Sequence, residues 1–237
     1  MRAPIARNLH GHVIQELGVR IVNGALQPGE ALPREEMLAK QMAVSRTALR
    51  EAMRVLSAKG LIEARPKVGT RVREERYWQQ LDAEVLAWRC ASMPTADFVQ
   101  KLAEMREIFE PAAAALAARR RNVDQFEHIE TAYKAMEASC NSDEWAVADL
   151  AFHEAVLVAT NNELMISLFS VVETALGSYF VLSARKSNDF KYSLPCHRKV
   201  YEAIRRRQPE VARRAMQRMI LDSRAHITGK PRSRKFA

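Results

Sequence analysis

The stretch VSRTALREAMRVLSAKGLIEARPKVGTRV, residues 44–72, decides the fold of the first part of the chain. Its first half carries an apolar stripe at helical spacing, and Ser45 stands where a helix N-cap is expected. The stripe consists of Ala48, Leu49, Ala52, Met53 and Leu56. Residues 61–64 (LIEA) and 70–72 (TRV) follow as two short segments of strand length, joined by the basic turn 65–69. This order predicts a helix followed by a small β-hairpin.

Two further helices are predicted upstream of this stretch. Residues 12–24 are amphipathic and end at Gly24, and residues 34–43 form a shorter helix after a turn around Pro28 and Gly29. The predicted helix at 44–60 turns Arg46, Thr47, Arg50 and Arg54 away from its apolar stripe. A short helix, a tight turn and a helix with exposed arginines are typical of helix-turn-helix DNA readers, and the hairpin would be their wing.

The charge is concentrated at the two ends of the chain. Residues 1–75 contain 13 Lys and Arg against 8 Asp and Glu, whereas residues 76–223 contain 19 against 20. The last fourteen residues contain 5 basic side chains and no acidic one. A charge run is more often a solvated face than a binding site, but the ordered helices and basic wing favour binding to a polyanion.

The stretch from Pro28 to Val72 resembles the winged-helix domain of the GntR family of bacterial transcription regulators, most specifically in VSRTALREAMRVL, GLIE and GT. The resemblance implies that guanidinium groups of the third helix face base edges or phosphates, that hydroxyls contact the backbone, and that the wing tip enters the minor groove. The family usually has Arg where this chain has Glu36, so Arg34 is expected to make that contact. The predicted DNA-binding residues are Arg34, Ser45, Arg46, Thr47, Arg50, Arg54, Lys67, Gly69 and Thr70.

The remainder of the chain has helical patterning and no strand pattern, which predicts an antiparallel all-α bundle of six to seven helices. The expected helices cover residues 94–121, 124–139, 143–160, 163–184, 195–207 and 209–227, with a short one at 81–91. The chain is therefore predicted to be mainly α. The expected division is a winged helix-turn-helix domain at 1–74, a connector at 75–80, a helical domain at 81–228 and a flexible basic tail at 229–237.

The segment DLAFHEAV, residues 149–156, places Asp149 and His153 one helical turn apart on a single face. Such a pair can be half of a metal site, an acid–base pair or an ordinary contact on a helix surface. The residues alone leave these three interpretations open.

The second half also resembles the FCD effector domain of the FadR subfamily within GntR, through MREIFEPAAAALAARR, ADLAFHEAVLVATNNEL and CHRKVYEAIRRRQPEVARRAM. Within that group it is most similar to the galactonate-responsive repressor type. The resemblance implies that Asp149, His153 and His197 are ligands of a metal, and that the family's fourth ligand is replaced by Met219. It also places Arg106 in the same pocket, paired with an effector carboxylate. The alternative for Arg106 is an intrahelical pair with Glu110.

Two uses of this cluster remain open from the sequence. Asp149, His153 and His197 can hold one divalent ion, such as Zn, Mn or Ni, with the help of an effector carboxylate. Equally, the same three side chains can bind the hydroxyls of a sugar acid directly. Methionine is a soft ligand and does not suit a site built from nitrogen and oxygen donors.

The sequence therefore predicts a ligand-responsive regulator, a repressor, that binds a double-stranded DNA operator as a homodimer and responds to a sugar acid such as galactonate or a related aldonate. The alternatives are a metal-dependent sensor of a lactate-like acid or dicarboxylate, a DNA-binding architectural protein without a ligand, and a helical metallohydrolase. An enzyme is not expected, because the chain has no H-E-x-x-H run and no nucleophile elbow. Three cysteines without CxxC spacing, no apolar leader and a mixed-polarity segment at 164–184 predict a cytoplasmic protein without a membrane span.

Overall fold

The computed structural model describes residues 5–65, 68–91, 96–183 and 190–228, without the side chains of 5–9, 91, 179–183 and 226–228. It is mainly helical, with one two-stranded sheet. The chain divides into two compact units, Met1–Pro94 and Thr95–Ala237. Among the described residues, no helix combines the length and the apolar character needed to span a membrane.

The first unit has the predicted winged helix-turn-helix order. Its elements are α1 (Ile5–Val22), α2 (Glu35–Gln41), α3 (Arg46–Ala58), β1 (Ile62–Arg65), β2 (Gly69–Val72) and α4 (Ala83–Ala91). The two strands are antiparallel, with Ile62 opposite Val72 and Arg65 opposite Gly69. Leu17, Leu49 and Leu56 are almost fully buried in the core that joins α1 to α3. Burial of each such side chain contributes roughly 1.5–3 kcal/mol, which fixes α3 on its support.

Helix α4 packs within the first unit. Its Trp88 lies against Gly18 of α1, where an added Cβ would stand 2.5 Å from the indole ring. The indole Nε1 of Trp88 donates a hydrogen bond to Gln15 Oε1 at 2.6 Å. The sequence predicts residues 81–91 as part of the second domain, whereas Val85 and Trp88 bury their apolar surface in the core of the first unit.

The second unit is built from helices alone among the residues described. They are α5 (Ala96–Arg120), α6 (Val123–Ala138), α7 (Ser142–Val158), α8 (Glu163–Ile166), α9 (Phe169–Ser183), α10 (Leu194–Arg205) and α11 (Pro209–Thr228). Asn122, Asn141 and Asn162 cap three of them through side-chain oxygens that accept backbone N–H groups. The single helix predicted at 163–184 is interrupted at residues 167–168, which separate α8 from α9.

Helix α5 is the centre of the second unit, because it packs against α7, α9, α10 and α11. Its second half is rich in alanine, and Ala113, Ala114, Ala117 and Ala118 are almost fully buried. Small side chains let the neighbouring helices approach closely. Polar residues on α5, α7 and α10 are thereby brought to one buried junction.

Candidate functional sites

The three predicted ligand residues meet in the interior of the second unit. Asp149 and His153 project from α7 and His197 projects from α10, and none of the three is more than 4% exposed. His197 Nε2 lies 2.8 Å from Asp149 Oδ1, and His153 Nε2 lies 3.9 Å from the same oxygen. One potential ligand atom from each residue lies within 4.8 Å of the others. The three residues that the sequence predicts to lie together therefore form a compact buried cluster.

Helix α5 adds an ion pair to this cluster. Arg106 and Glu110, each 2% exposed, pair through Arg106 Nε and Glu110 Oε1. Glu110 Oε2 also lies 2.6 Å from His153 Nδ1, at an angle outside ideal hydrogen-bond geometry. Arg106 Nη2 lies 3.5 Å from His153 Nε2. The intrahelical pair considered as the alternative for Arg106 is thus present, and it adjoins the predicted site.

Both carboxylates of the cluster are held in the ionised form. Burial alone would raise the pKa of Glu110, but the charges of Arg106 and His153 outweigh it and lower that pKa to about 2. Burial likewise opposes ionisation of Asp149, yet the neighbouring His197 and His153 hold the pKa of that carboxyl below its ordinary value. At neutral pH the junction therefore contains two carboxylates and one guanidinium beside two imidazoles.

The orientation of the His197 imidazole fits a bound cation. His197 Nδ1 lies 3.0 Å from the backbone oxygen of Ser193, which can only accept, so this nitrogen carries a proton. In the neutral ring, His197 Nε2 is then an acceptor that faces another acceptor, Asp149 Oδ1, and neither atom has a hydrogen-bond partner in the structure. Two buried acceptors 2.8 Å apart are compatible with an ion or a proton between them.

Asp149, His153 and His197 are therefore a suitable donor set for one divalent metal. Nitrogen and carboxylate donors in this combination suit Zn, Mn or Ni. Met219, at the position where a fourth ligand is expected, is 2% exposed and belongs to the core cluster of the second unit. Its thioether is a weak ligand for such ions, so the described protein ligands number three.

Glu110 and Tyr192 were not predicted as site residues. Tyr192 lies in the turn before α10, where burial raises the pKa of its hydroxyl and the charge of Asp149 raises it further. That hydroxyl stays protonated at neutral pH and forms a hydrogen bond with Ser223. The sequence places Glu110 one turn from Arg106, but its approach to His153 depends on how α5 packs on α7. No local signal distinguishes Tyr192.

The predicted DNA-binding side chains lie on the surface of the first unit. Ser45, Arg46, Thr47, Arg50 and Arg54 are all exposed at or within α3. Ser45 Oγ accepts a hydrogen bond from the backbone N–H of Ala48 at 3.1 Å, so it caps the helix as the sequence predicts.

Each arginine of α3 has an acidic partner. Arg46 pairs with Glu36, Arg50 Nε lies 2.8 Å from Glu35 Oε2, and Arg54 Nη1 lies 2.6 Å from Glu51 Oε1. The hydrogen bond that Arg50 donates to Glu35 raises the pKa of Arg50, which remains fully positively charged.

The other predicted contacts lie on α2 and the wing. Arg34 is exposed at the position before α2. Gly69 and Thr70 begin β2, and Gly69 has a φ of +96°, a conformation that glycine adopts without strain. Lys67 lies outside the described residues.

Known protein families match both units. Residues 9–72 match the bacterial regulatory proteins of the gntR family, and residues 101–222 match the FCD domain. The chain belongs to the GntR family. It is 32% identical over 219 residues to the galactonate operon transcriptional repressor of Escherichia coli K12, covering 91% of this chain and 95% of the relative.

Other similar proteins are also transcription regulators or share the fold. YieP of Escherichia coli K12, an uncharacterised HTH-type transcriptional regulator, is 31% identical over 217 residues, covering 90% of this chain and 93% of the relative. A solved GntR structure from Streptococcus agalactiae matches 92% of this chain and 99% of its own, with 25% identity and a TM-score of 0.51. The structure of Lar from Listeria monocytogenes, at 20% identity and a TM-score of 0.66, shares the fold over 98% of this chain and all of its own.

The chain is therefore a DNA-binding transcription regulator with an FCD domain. The matched families and relatives are regulators and not enzymes, which removes the metallohydrolase considered from the sequence. The chemistry of the buried cluster bears on the identity of the effector and on the presence of a metal.

Proposed function

We propose that this protein is a homodimeric repressor that changes its operator affinity when a small carboxylate, most suitably a sugar acid, binds in the FCD domain. The observation that carries the proposal is the buried cluster of Arg106, Glu110, Asp149, His153 and His197. Ionisable groups are costly to bury, and well-packed apolar residues would stabilise a helical bundle at least as well. Perturbed charges gathered at one junction are more typical of a binding site than of a core.

The charge balance of the cluster favours an anionic ligand together with a cation. Glu110 and Asp149 are ionised beside the single guanidinium of Arg106, so these three side chains together carry an excess of one negative charge. That excess opposes the entry of a carboxylate. A divalent cation on Asp149, His153 and His197 would reverse the sign, and when bound it would supply a positive centre that accepts oxygen ligands.

The side chains around the cluster match the remaining groups of a sugar acid. The guanidinium of Arg106 is suited to a carboxylate, because its planar N–H donors match two oxygens. The imidazoles of His153 and His197 supply hydrogen bonds for hydroxyl groups. The galactonate operon repressor among the relatives supports an aldonate as the first ligand to test.

In this proposal the first unit binds the operator DNA. We expect α3 to lie in the major groove with Arg46 and Arg50 toward guanine edges or phosphates, and Gly69, Thr70 and Lys67 to reach the minor groove. In a symmetric dimer, two such units would bind the two halves of a pseudo-palindrome. Ligand and DNA affinities would then be coupled reciprocally.

Thermal unfolding of the purified chain tests the ligand assignment. Galactonate, related aldonates, lactate and dicarboxylates are compared at matched ionic strength, with Zn²⁺, with Mn²⁺ and without metal. A ligand at a hundred times its dissociation constant should add about 2.7 kcal/mol to stability. Arg106→Ala should abolish the shift, while Arg50→Ala should keep it and lose binding to DNA. If lactate or a dicarboxylate alone stabilises the chain, the sugar-acid assignment is wrong; stabilisation by no acid contradicts the sensor function.

A further inference from the structure

The acidic first turn of α2 faces the arginines of α3. Glu35 and Glu36 are the first two residues of α2, and they pair with Arg50 and Arg46, respectively. These partners are separated by 15 and 10 positions in the sequence, so the pairs are tertiary contacts and not neighbours on one helix. Two of the three α3 arginines proposed to contact DNA are thus held by carboxylates from the adjacent helix.

The packing beneath these pairs fixes where the carboxylates stand. Leu38 and Ala39 of α2 and Leu49 and Ala52 of α3 are buried in the same core. The two acids also occupy the N-terminal turn of a helix, where the helix dipole favours negative charge. Both pairs remain exposed, with side chains of Arg46 and Glu36 at 65% and 76%. A DNA backbone approaching α3 would therefore encounter the carboxylates together with the arginines.

We propose that Glu35 and Glu36 compete with DNA for Arg50 and Arg46, and that this competition lowers the affinity of the protein for any DNA that these arginines contact. The inference rests on the proposed DNA-binding role of α3. On random DNA the arginines gain only phosphate contacts, which are weak and screened by salt. On the operator they gain bidentate contacts to guanine as well, which are stronger than an exposed ion pair. The free-energy cost of breaking each ion pair applies wherever the arginine leaves its carboxylate, and the guanine contacts of the operator exceed that cost by more than phosphate contacts do.

Two other roles for Glu36 give different outcomes. A carboxylate can accept a hydrogen bond from cytosine N4, in which case Glu36 would itself read the operator. Alternatively, it can repel phosphates without any dependence on Arg46. A double-mutant cycle between Glu36 and Arg46 separates these roles from competition, because only competition requires both side chains.

The experiment measures the affinity of the full chain for two fluorescent duplexes at several salt concentrations. One is a mixed-sequence duplex of about 30 base pairs, long enough for two half-sites one helical turn apart. The other is the duplex that the wild-type chain enriches from a random pool. The variants are Glu36→Gln, Arg46→Ala and the double variant, and Glu35→Gln with Arg50→Ala form a second cycle. Glu16→Gln on α1, an exposed acid paired with Arg20 in the same unit, controls for the loss of one negative charge.

Glu36→Gln should strengthen binding to the enriched duplex roughly two- to fivefold, as expected for loss of an exposed ion pair, and binding to the mixed-sequence duplex by no more than that. The gain should disappear in the Arg46→Ala background. A gain no larger than that of Glu16→Gln, a gain that persists without Arg46, or weaker binding to the enriched duplex would each overturn the proposal. If Arg46→Ala and Arg50→Ala bind both duplexes like wild type, the failure lies in the proposed role of α3 itself.

Discussion

Glu110 on α5 lies with Oε2 2.6 Å from His153 Nδ1 on α7, while its other oxygen pairs with Arg106 one turn earlier on α5. This one carboxylate therefore links the residue proposed to bind the effector to a residue proposed to hold a metal. A proton on His153 Nδ1 would leave Nε2 directed toward Asp149, which is the orientation a ligand nitrogen needs. Glu110 thus positions both halves of the proposed site.

Removal of this carboxylate charge should destabilise the protein strongly. Glu110→Gln removes the carboxylate that both Arg106 and His153 contact in the buried cluster, and loss of one partner of a buried ion pair typically costs about 3 kcal/mol or more. Glu107→Gln is the matched control, because Glu107 pairs with Arg224 at 2.6 Å but is partly exposed, and its loss should cost less than about 1 kcal/mol. Denaturation followed by helical circular dichroism measures both. Equal losses for the two variants would mean that the buried pair has no special role.

The carboxylate of Glu110 should also make part of the protein's stability sensitive to acid. Its pKa is about 2 in the folded chain against an ordinary value of 4.5, so its contribution is complete above that ordinary value. The contribution should be lost as the pH falls from about 4.5 toward 2, because the unfolded chain then takes up the proton first. Melting temperatures between pH 6 and 3 should therefore fall more steeply for wild type than for Glu110→Gln. Parallel curves for the two proteins would contradict the prediction.

Because Met219 stands where a fourth metal ligand is expected, we predict a weak metal site that a nitrogen ligand at this position strengthens. Met219→His would supply a nitrogen donor in place of the thioether, and a fourth ligand from the protein should raise Zn²⁺ affinity at least tenfold. Met219→Leu is the control, since it keeps an apolar side chain of similar volume and provides no ligand atom. Competition with a chromophoric chelator measures the affinities. If Met219→His binds Zn²⁺ and Mn²⁺ no more tightly than wild type, the cluster is not a four-ligand site lacking one member.

Gly60, which lies between α3 and β1, has no space for a side chain. Its φ is +75°, and an added Cβ would stand 2.1 Å from the backbone oxygen of Tyr77. Gly60→Ala should cost about 3 kcal/mol or more, since backbone must move to relieve the overlap. Gly29→Ala is the comparison, because Gly29 has a φ of +85° but open space around it, and should cost only about 1 kcal/mol. Thermal unfolding of the two variants should show this difference in the free energy of unfolding. Equal destabilisation by the two substitutions would exclude the steric overlap at Gly60 as the cause.

Much of the fold could be predicted because its determinants are local. The apolar stripe on α3, the Ser45 cap and the basic turn between the two strands each depend on residues close in sequence. The pairing of Asp149 with His153 likewise follows from helical periodicity, and His197 was supplied by the family resemblance.

The remaining features depend on packing between distant segments. Glu110 approaches His153 only because α5 lies against α7, and Glu36 meets Arg46 only because α2 lies against α3. The position of α4 depends on the space that Gly18 leaves for Trp88. Such contacts have no periodic signal in the sequence, so the sequence could predict the side chains but not their partners.

Release of DNA by an acid tests the proposed regulation most directly. The wild-type chain is bound to the duplex that it enriches from a random pool, and fluorescence anisotropy is followed during addition of galactonate in the presence of Zn²⁺ or Mn²⁺. Wild type should lose DNA affinity about fivefold or more, the range typical of coupled sites. Arg106→Ala should bind the duplex equally well without responding to the acid. An unchanged wild-type affinity at saturating acid, or an equal response from Arg106→Ala, would contradict a carboxylate-sensing role for the buried cluster.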